Sequence, residues 1–227
     1  SEMCIRDSSY SKDNFNTDLE GDGAFICQNS WGDNFGENGF FYISYYDTNI
    51  GTHNVVYTDI ENTDNYDHIY QSDLCGWVGQ LGYNKDSIYG ANVFTAEGNE
   101  TLKAASFYAT GKDSQYELYV VRQFEDETSL EKMIPVASGK LGNAGYYTVD
   151  FNQGIEVDAG ERYAVVLYII TPGSVHPMAI EYAADEATEN VDLDDGESYI
   201  SANGSKWVSV DTVEKSNLCI KAFSDNR

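Results

Sequence analysis

The chain has 227 residues, of which 41% are hydrophobic and 14% aromatic, a composition typical of a folded protein with one large domain or a domain plus a smaller neighbour. Its 38 acidic and 13 basic residues give a formal net charge of −25. Such a negative field repels polyanions, so we exclude nucleic acid and anionic membrane surfaces as partners. The longest apolar run, Tyr163 to Ile170, is also far shorter than the ~20 residues of a membrane-spanning helix.

The N-terminal quarter of the chain contains one strand-loop-strand pattern. Residues 1–22 are polar and lack periodicity. Two apolar stretches follow, Ala24 to Cys27 and Phe40 to Tyr46, separated by a glycine-rich segment, which predicts two strands joined by a loop. The acidic connector from Asp47 to Asp73 contains one short candidate strand, Val55 to Tyr57.

The rest of the chain is divided into short strand-sized segments with turn residues between them. Residues 116–120 and 147–151 alternate apolar and polar side chains, as strands with one wet face do. We interpret Tyr163 to Ile170 as a central buried strand and Glu127 to Lys132 as a single helical turn. Nine such segments predict an all-β fold, a β-sandwich. They are residues 88–96, 102–110, 116–124, 134–139, 146–151, 163–170, 178–183, 198–201 and 218–223.

The four cysteines do not form a recognisable metal site, because they lack CxxC spacing and nearby histidine pairs. One disulfide bridge and isolated buried thiols both remain open. We expect no cofactor, with calcium as the one exception considered below. The four are Cys4, Cys27, Cys75 and Cys219.

Residues 29–40 carry the strongest motif of the chain. They read N-S-W-G-D-N-F-G-E-N-G-F. This resembles the asparagine motif of papain-like cysteine peptidases, N-S-W-G-x-x-W-G-E-x-G-Y, with seven identities. In that family an asparagine side chain accepts a hydrogen bond from the catalytic histidine and so orients it toward the thiolate. The resemblance assigns this role to Asn29 and a shielding role to Trp31.

The remaining catalytic groups of that family have no counterpart here. The family order is Cys, His, Asn, with the asparagine about 130–150 residues after the cysteine. Only 28 residues precede Asn29, and all three histidines, His53, His68 and His176, follow it. Residues 9–15 resemble the linker after the histidine strand. We therefore expect residues 1–53 to be the truncated C-terminal end of a peptidase domain and the isolated chain to be proteolytically inactive.

Residues 54–227 resemble the lectin-like domain that follows the peptidase domain in many bacterial papain-like enzymes. The resemblance rests on Gly76-Trp77-Val78, on residues 91–96 and 196–201, on Lys206-Trp207 and on residues 219–223. It implies a jelly-roll-like β-sandwich and suggests carbohydrate binding. Trp77 and Trp207 are candidate platforms for a sugar ring, although a sandwich of this size also needs aromatic residues in its core.

A short acidic segment is the only candidate metal site. Four acidic side chains lie within six residues, and oxygen-rich clusters of this kind can hold Ca²⁺. The spacing does not fit an EF-hand, and a solvated acidic turn is the alternative interpretation. The four residues are Asp192, Asp194, Asp195 and Glu197.

Three functional hypotheses follow. In the first, the chain is the C-terminal part of a secreted bacterial peptidase, extracellular or on the cell surface, whose lectin-like domain brings the catalytic domain close to glycan-rich substrate. In the second, the domain stabilises the catalytic domain and binds no ligand. In the third, the chain is a hydrolase with an unrecognised site. The apolar N-terminal strands must dock on the lectin-like sandwich or on another copy of the chain. We predict a homodimer through these strands, because unpaired edges recruit partners.

Overall fold

The computed structural model describes residues 5–8, 10–29, 31–49, 55–58, 60–186 and 188–227. The chain divides into two compact units, residues 1–60 and residues 61–227. The domain boundary predicted at residues 53 and 54 lies outside the described residues.

The described residues of the first unit form a three-stranded antiparallel sheet. Its strands are β1 (Ile5–Ser8), β2 (Ala24–Gln28) and β3 (Phe40–Ser44), in the order β1-β2-β3. A 3₁₀ turn at Lys12–Asn14 follows β1. Strands β2 and β3 are the predicted strand-loop-strand. Strand β1 was not predicted, because its residues lack an alternating pattern.

The described residues of the second unit form thirteen strands in three sheets. The strands are β4 (His68–Tyr70), β5 (Gly79–Leu81), β6 (Ser87–Thr95), β7 (Glu100–Ala109), β8 (Ser114–Val121), β9 (Ile134–Leu141), β10 (Gly145–Val157), β11 (Arg162–Ile170), β12 (Met178–Glu181), β13 (Glu197–Ser201), β14 (Val208–Ser209), β15 (Asn217–Leu218) and β16 (Ile220–Asn226). The strand order is β10-β7-β16-β4 in the four-stranded sheet, β14-β13-β6-β11-β8-β9 in the six-stranded sheet and β15-β12-β5 in the small sheet.

The main core of the second unit lies between the four-stranded and six-stranded sheets. Its largest fully buried side chains include Phe107 on β7, Leu118 on β8 and Tyr163 on β11. Strand β11 pairs with β6 on one side and with β8 on the other. It is therefore the central buried strand that its apolar run predicted, and the predicted all-β, jelly-roll-like sandwich is confirmed.

All nine predicted segments of the sandwich contain a strand. The predicted helical turn is a 3₁₀ helix, Glu127–Glu131, which Asp126 caps by accepting a hydrogen bond from the Thr128 backbone N–H at 3.0 Å. The prediction of a strand at Val55–Tyr57 is wrong. These residues belong to no strand in the structure, and Val55 is 82% exposed. Without a neighbouring strand, an apolar triplet alone does not form a ladder.

The outer face of the six-stranded sheet has two different halves. A second apolar cluster covers one half, where Phe124 and Leu130, from the connection between β8 and β9, pack over Ala164 and Val166 of β11. The other half carries Tyr168 on β11 and Glu117 on β8. This second half lines an open cavity, described below.

Candidate functional site

The peptidase-like motif forms the loop between β2 and β3. The side-chain oxygen of Asn29 accepts a hydrogen bond from the Trp31 backbone N–H at 2.8 Å. The Asn29 backbone N–H donates to the Gly39 carbonyl oxygen at 2.9 Å and so closes the base of the loop. Asn29 is thus held at the end of β2, and its side-chain oxygen retains a second lone pair for another donor. Ser30 lies outside the described residues.

Glycine gives this loop its shape. Gly32, Gly36 and Gly39 have φ of 85°, 58° and 85°, the left-handed region that favours glycine. At Gly36 an added Cβ would lie 2.1 Å from the Phe40 carbonyl oxygen. The glycine-rich segment that was predicted to join two strands is therefore a tight loop.

Trp31 projects from the loop and is 73% exposed. Its ring contacts Phe35 edge-on at 5.0 Å, and Phe35 contacts Phe41 at 5.6 Å. The described residues of the first unit include no histidine, since His53 lies outside them. Within this unit Asn29 therefore has no described imidazole to orient.

The described cysteines of the chain differ in accessibility. Cys27 and Cys219 are buried and Cys75 is exposed. Burial raises the pKa of the Cys27 thiol. Burial and the nearby Asp73 carboxylate likewise raise the pKa of Cys219. Because the thiolate is the nucleophile, these two buried thiols are poorly suited to catalysis. Cys4 lies outside the described residues.

The acidic segment that leads into β13, with Glu197 as the first residue of that strand, is paired with protein groups. Asp194 forms an ion pair with Lys215 at 2.8 Å, and Glu197 pairs with Arg162. Asp195 accepts a hydrogen bond from the Asn217 side chain at 3.3 Å, and the Asp192 carboxylate accepts one from the Asp194 backbone N–H at 3.0 Å. Among the described residues, no group of three or more His, Cys, Asp or Glu side chains is arranged to hold a metal ion.

Trp77 and Trp207, the two candidate platforms, contact different sheets. The Trp77 ring lies 5.7 Å from Tyr108 of β7, in the four-stranded sheet, and Tyr108 lies 5.0 Å from Tyr146. Trp207 contacts Tyr89 of β6, in the six-stranded sheet, edge-on at 6.2 Å. The structure therefore does not bring the two indoles together in one site.

Trp207 supports a pair of tyrosines that the sequence did not reveal. Tyr89 and Tyr168 stack with ring centroids 4.2 Å apart and planes 19° apart. The indole N–H of Trp207 is buried and has no hydrogen-bond partner in the described part of the chain. Trp207 therefore packs behind Tyr89 and does not present its N–H to a ligand.

Beside this pair is a cavity of about 390 Å³, open to solvent. Its walls come from Tyr168 and Ile170 of β11 and from neighbouring residues of β8 and β9, among them Gln115, Glu117, Ser138 and Lys140. Cavities of this size, with aromatic walls and a few polar groups, are typical of small-molecule sites. The alternation of residues 116–120 placed Glu117 on a wet face, but pairing between strands was needed to bring it next to Tyr168.

Comparisons with known proteins agree with this architecture. Residues 69–224 match the family described as "Lectin like domain". No curated protein sequence matches the chain. The cysteine protease Cwp84 of a clostridium, solved after propeptide cleavage, matches with a TM-score of 0.79 and 26% identity over 99% of this chain and 58% of its own.

A second Cwp84 structure matches in fold. It contains the cysteine protease and lectin-like domains of a surface layer associated protein of Clostridium difficile. Its TM-score is 0.75 at 23% identity, over 99% of this chain and 52% of that one. The present chain thus spans little more than half of these proteins. Because the family match covers more than half of its residues, the chain belongs to the lectin-like domain family, here joined to a segment like the end of a cysteine protease domain.

Proposed function

We propose that this chain is the C-terminal part of a papain-like cysteine peptidase whose lectin-like domain binds glycans and holds the catalytic domain near its substrate. One observation carries the proposal. The match to Cwp84 covers 99% of the chain, and so includes both the asparagine-motif segment and the lectin-like domain. The asparagine loop supports the peptidase assignment, and the open cavity beside Tyr168 supports ligand binding.

Targeting by a linked domain needs only weak glycan affinity. Binding of the lectin-like domain to a surface raises the effective concentration of the attached catalytic domain there. The negative charge of −25 disfavours anionic surfaces and favours neutral glycans. Cwp84 is a surface layer associated protein, which supports an extracellular or cell-surface location for this chain as well. No helix among the described residues is long and apolar enough to cross a membrane.

A glycan array probed with this chain, with calcium and with a chelator, tests the proposal. We expect binding to neutral glycans. Loss of binding with chelator would show that binding needs a divalent cation and would make the segment of residues 192–197 the first place to test for Ca²⁺. An array without any binding by folded protein contradicts glycan targeting and favours a domain that only stabilises the peptidase.

The isolated chain is expected to be inactive, because its described first unit has no histidine for Asn29 to orient. Hydrolysis of fluorogenic peptides in the presence of a reducing agent measures this. Thiol-dependent cleavage that Asn29→Ala abolishes would show that the chain has its own catalytic cysteine and histidine.

A homodimer through the edge strands of the three-stranded sheet is also part of the proposal. In this sheet β2 is central, and β1 and β3 are the edges. Edge strands offer unpaired backbone groups to a second copy. Light scattering at high protein concentration should give twice the monomer mass of 25.3 kDa, and a monomer mass would contradict the dimer.

A further inference from the structure

The open half of the six-stranded face is organised by cross-strand pairing. Tyr168 of β11 lies opposite Tyr89 of β6 and opposite Glu117 of β8. Glu117 in turn lies opposite Ser138 of β9. Directly paired residues project from the same face of a sheet, so these four side chains form one row across four strands.

A second row runs beside the first. Ile170 of β11 lies opposite Gln115 of β8, and Gln115 lies opposite Lys140 of β9. Because Gln115 and Glu117 are two residues apart on one strand, both rows are on the same face. The cavity of about 390 Å³ lies over the β8 and β9 ends of these rows.

One side of the Tyr168 ring is occupied by protein and the other borders the cavity. Tyr89, from β6, stacks on it at 4.2 Å. The other cavity-lining residues, apart from Ile170 of β11 itself, belong to β8 and β9, on the opposite side of β11. Tyr89 is itself held in place by Trp207 and by Gly204, where an added Cβ would lie 3.2 Å from the tyrosine ring. The Tyr168 ring is thus a fixed aromatic wall.

The polar groups of the cavity suit hydroxyl recognition. Glu117 accepts a hydrogen bond from the Tyr119 hydroxyl, which positions the carboxylate, and a carboxylate has about four acceptor positions in total. Gln115 offers both donors and acceptors. Lys140 forms an ion pair with Asp113 at 3.3 Å, so its charge is already offset.

The open half differs in composition from the half that the protein covers. The covered half presents Ala91, Ala164 and Val166 beneath Phe124 and Leu130, an apolar contact on both sides. The cavity on the open half is lined by a carboxylate, an amide, a hydroxyl and an ammonium group as well as by Tyr116, Tyr168 and Ile170. The open half is therefore not a packing surface that lacks its cover.

From this arrangement we propose that the cavity beside Tyr168 binds a neutral pyranose, whose apolar face packs on the Tyr168 ring and whose hydroxyls bind Glu117 and Gln115. Pyranose rings combine an apolar C–H face with a rim of hydroxyls, which matches an aromatic wall beside polar side chains. The Glu117 carboxylate and the net charge of −25 disfavour acidic sugars. This inference rests on the proposed glycan binding and assigns it a location and a ligand class.

The experiment is an NMR titration of the ¹⁵N-labelled full chain. The probes are the methyl glycosides of glucose, galactose, mannose and N-acetylglucosamine, each added to tens of millimolar. Methyl glucuronide is added in the same way as the acidic counterpart of the glucoside. We expect amide shifts confined to residues 115–119, 138–140 and 166–170. Glucuronide should bind more weakly than glucoside.

Two variants test the assigned residues. Tyr168→Ala should weaken binding of the responding neutral glycoside at least tenfold, which corresponds to about 1.4 kcal/mol of binding free energy. Glu117→Gln keeps the shape of an exposed side chain, so folding is preserved. This variant should show a smaller preference for glucoside over glucuronide. Tyr146→Ala, an exposed tyrosine of the four-stranded sheet, is the matched control and should bind like the parent chain.

The outcomes separate this site from the general proposal. Binding of a neutral glycoside that both variants leave unchanged, or shifts centred on Trp77, would overturn the site and retain glycan binding. Stronger binding of glucuronide than of glucoside would overturn the ligand class. If none of the probes shifts any amide, both the site and glycan binding are contradicted.

Discussion

The two units of the chain differ in whether they contain a recognisable sequence motif and in how much of the buried core they contain. The first unit contains a motif recognisable from twelve consecutive residues, yet its described buried apolar side chains are only Ala24 and Cys27. The second unit has no comparable motif, yet it contains nearly all of the buried core. Motif residues are those that a reaction needs, whereas buried residues are those that stabilise the fold. Substitutions in the two units should therefore have very different effects on stability.

The largest effect is expected in the sandwich core. Phe107 of β7 is fully buried, and its ring lies 5.2 Å from Tyr116. Phe107→Ala should lower the free energy of unfolding by about 3–5 kcal/mol, because it leaves a cavity between the two sheets. Urea unfolding followed by far-UV circular dichroism measures this. A loss below about 1 kcal/mol would mean that the site collapses around the smaller side chain.

A smaller effect is expected at Glu100, the buried carboxylate at the start of β7. It accepts hydrogen bonds from Tyr70 at 2.7 Å, Ser224 at 2.5 Å and the Gly98 backbone at 2.8 Å. Burial opposes ionisation, but these donors lower the pKa of Glu100 below its ordinary value. Glu100→Gln should cost about 2 kcal/mol at neutral pH, the range for hydrogen bonds to charged groups.

The pH dependence of this cost has a defined sign. The folded pKa of Glu100 is depressed, so its contribution is complete above the unfolded carboxyl pKa of about 4.3 and is lost as pH falls through the folded pKa. The difference between the parent chain and Glu100→Gln should shrink on acidification. A difference that stays constant from neutral pH to acid would contradict the ionised, hydrogen-bonded carboxylate.

In the first unit, the backbone of the motif loop should be more sensitive than its side chains. Gly36→Ala combines a φ of 58° with a Cβ placed 2.1 Å from the Phe40 carbonyl oxygen. Gly32→Ala has a φ of 85° and meets no atom within 4 Å. We expect a cost of about 1–2 kcal/mol from backbone conformation at both positions and a further rearrangement only at Gly36. Amide shifts of residues 29–41 that are equally large in both variants would contradict the close approach.

The smallest effect is expected at Trp31, the most conspicuous motif side chain. Because it is 73% exposed, Trp31→Ala should change the free energy of unfolding of the isolated chain by no more than about 0.5 kcal/mol. Thermal unfolding of the two proteins, side by side, measures the difference. A loss of 2 kcal/mol or more would show that the indole is covered in solution, by the rest of the chain or by a second copy.

The sequence predicted the longer strands of the fold and missed the shortest. Tyr163 to Ile170 was recognisable because a strand that is buried on both faces over most of its length needs a continuous apolar run. Strands such as Val208–Ser209 and Asn217–Leu218 have two residues, too few to show any alternation. Val55–Tyr57 had the right residue types for a strand, but strand formation depends on a partner that local composition does not specify.

Of the candidate sites, the sequence predicted the one formed by consecutive residues and missed the one formed by residues far apart in the chain. The peptidase-like loop was visible because its residues are consecutive, and Asn29 lies at its base as expected. The cavity beside Tyr168 joins residues 115–117, 138–140 and 168–170, and only the register of β8, β9 and β11 brings them together. Trp77 and Trp207 were chosen as aromatic residues in the segments that resemble the lectin-like domain, yet they contact different sheets.

The connection between β8 and β9 has a consequence for how such a domain can diversify. Residues 122–133 fold over half of the six-stranded face and leave the other half open. Loops tolerate changes in length far better than strands do. A longer connection would extend its cover toward Tyr168, and a shorter one would uncover Ala164 and Val166. Related domains can therefore gain, resize or lose a surface pocket through insertions in one loop, while the hydrogen-bonded framework beneath it stays the same.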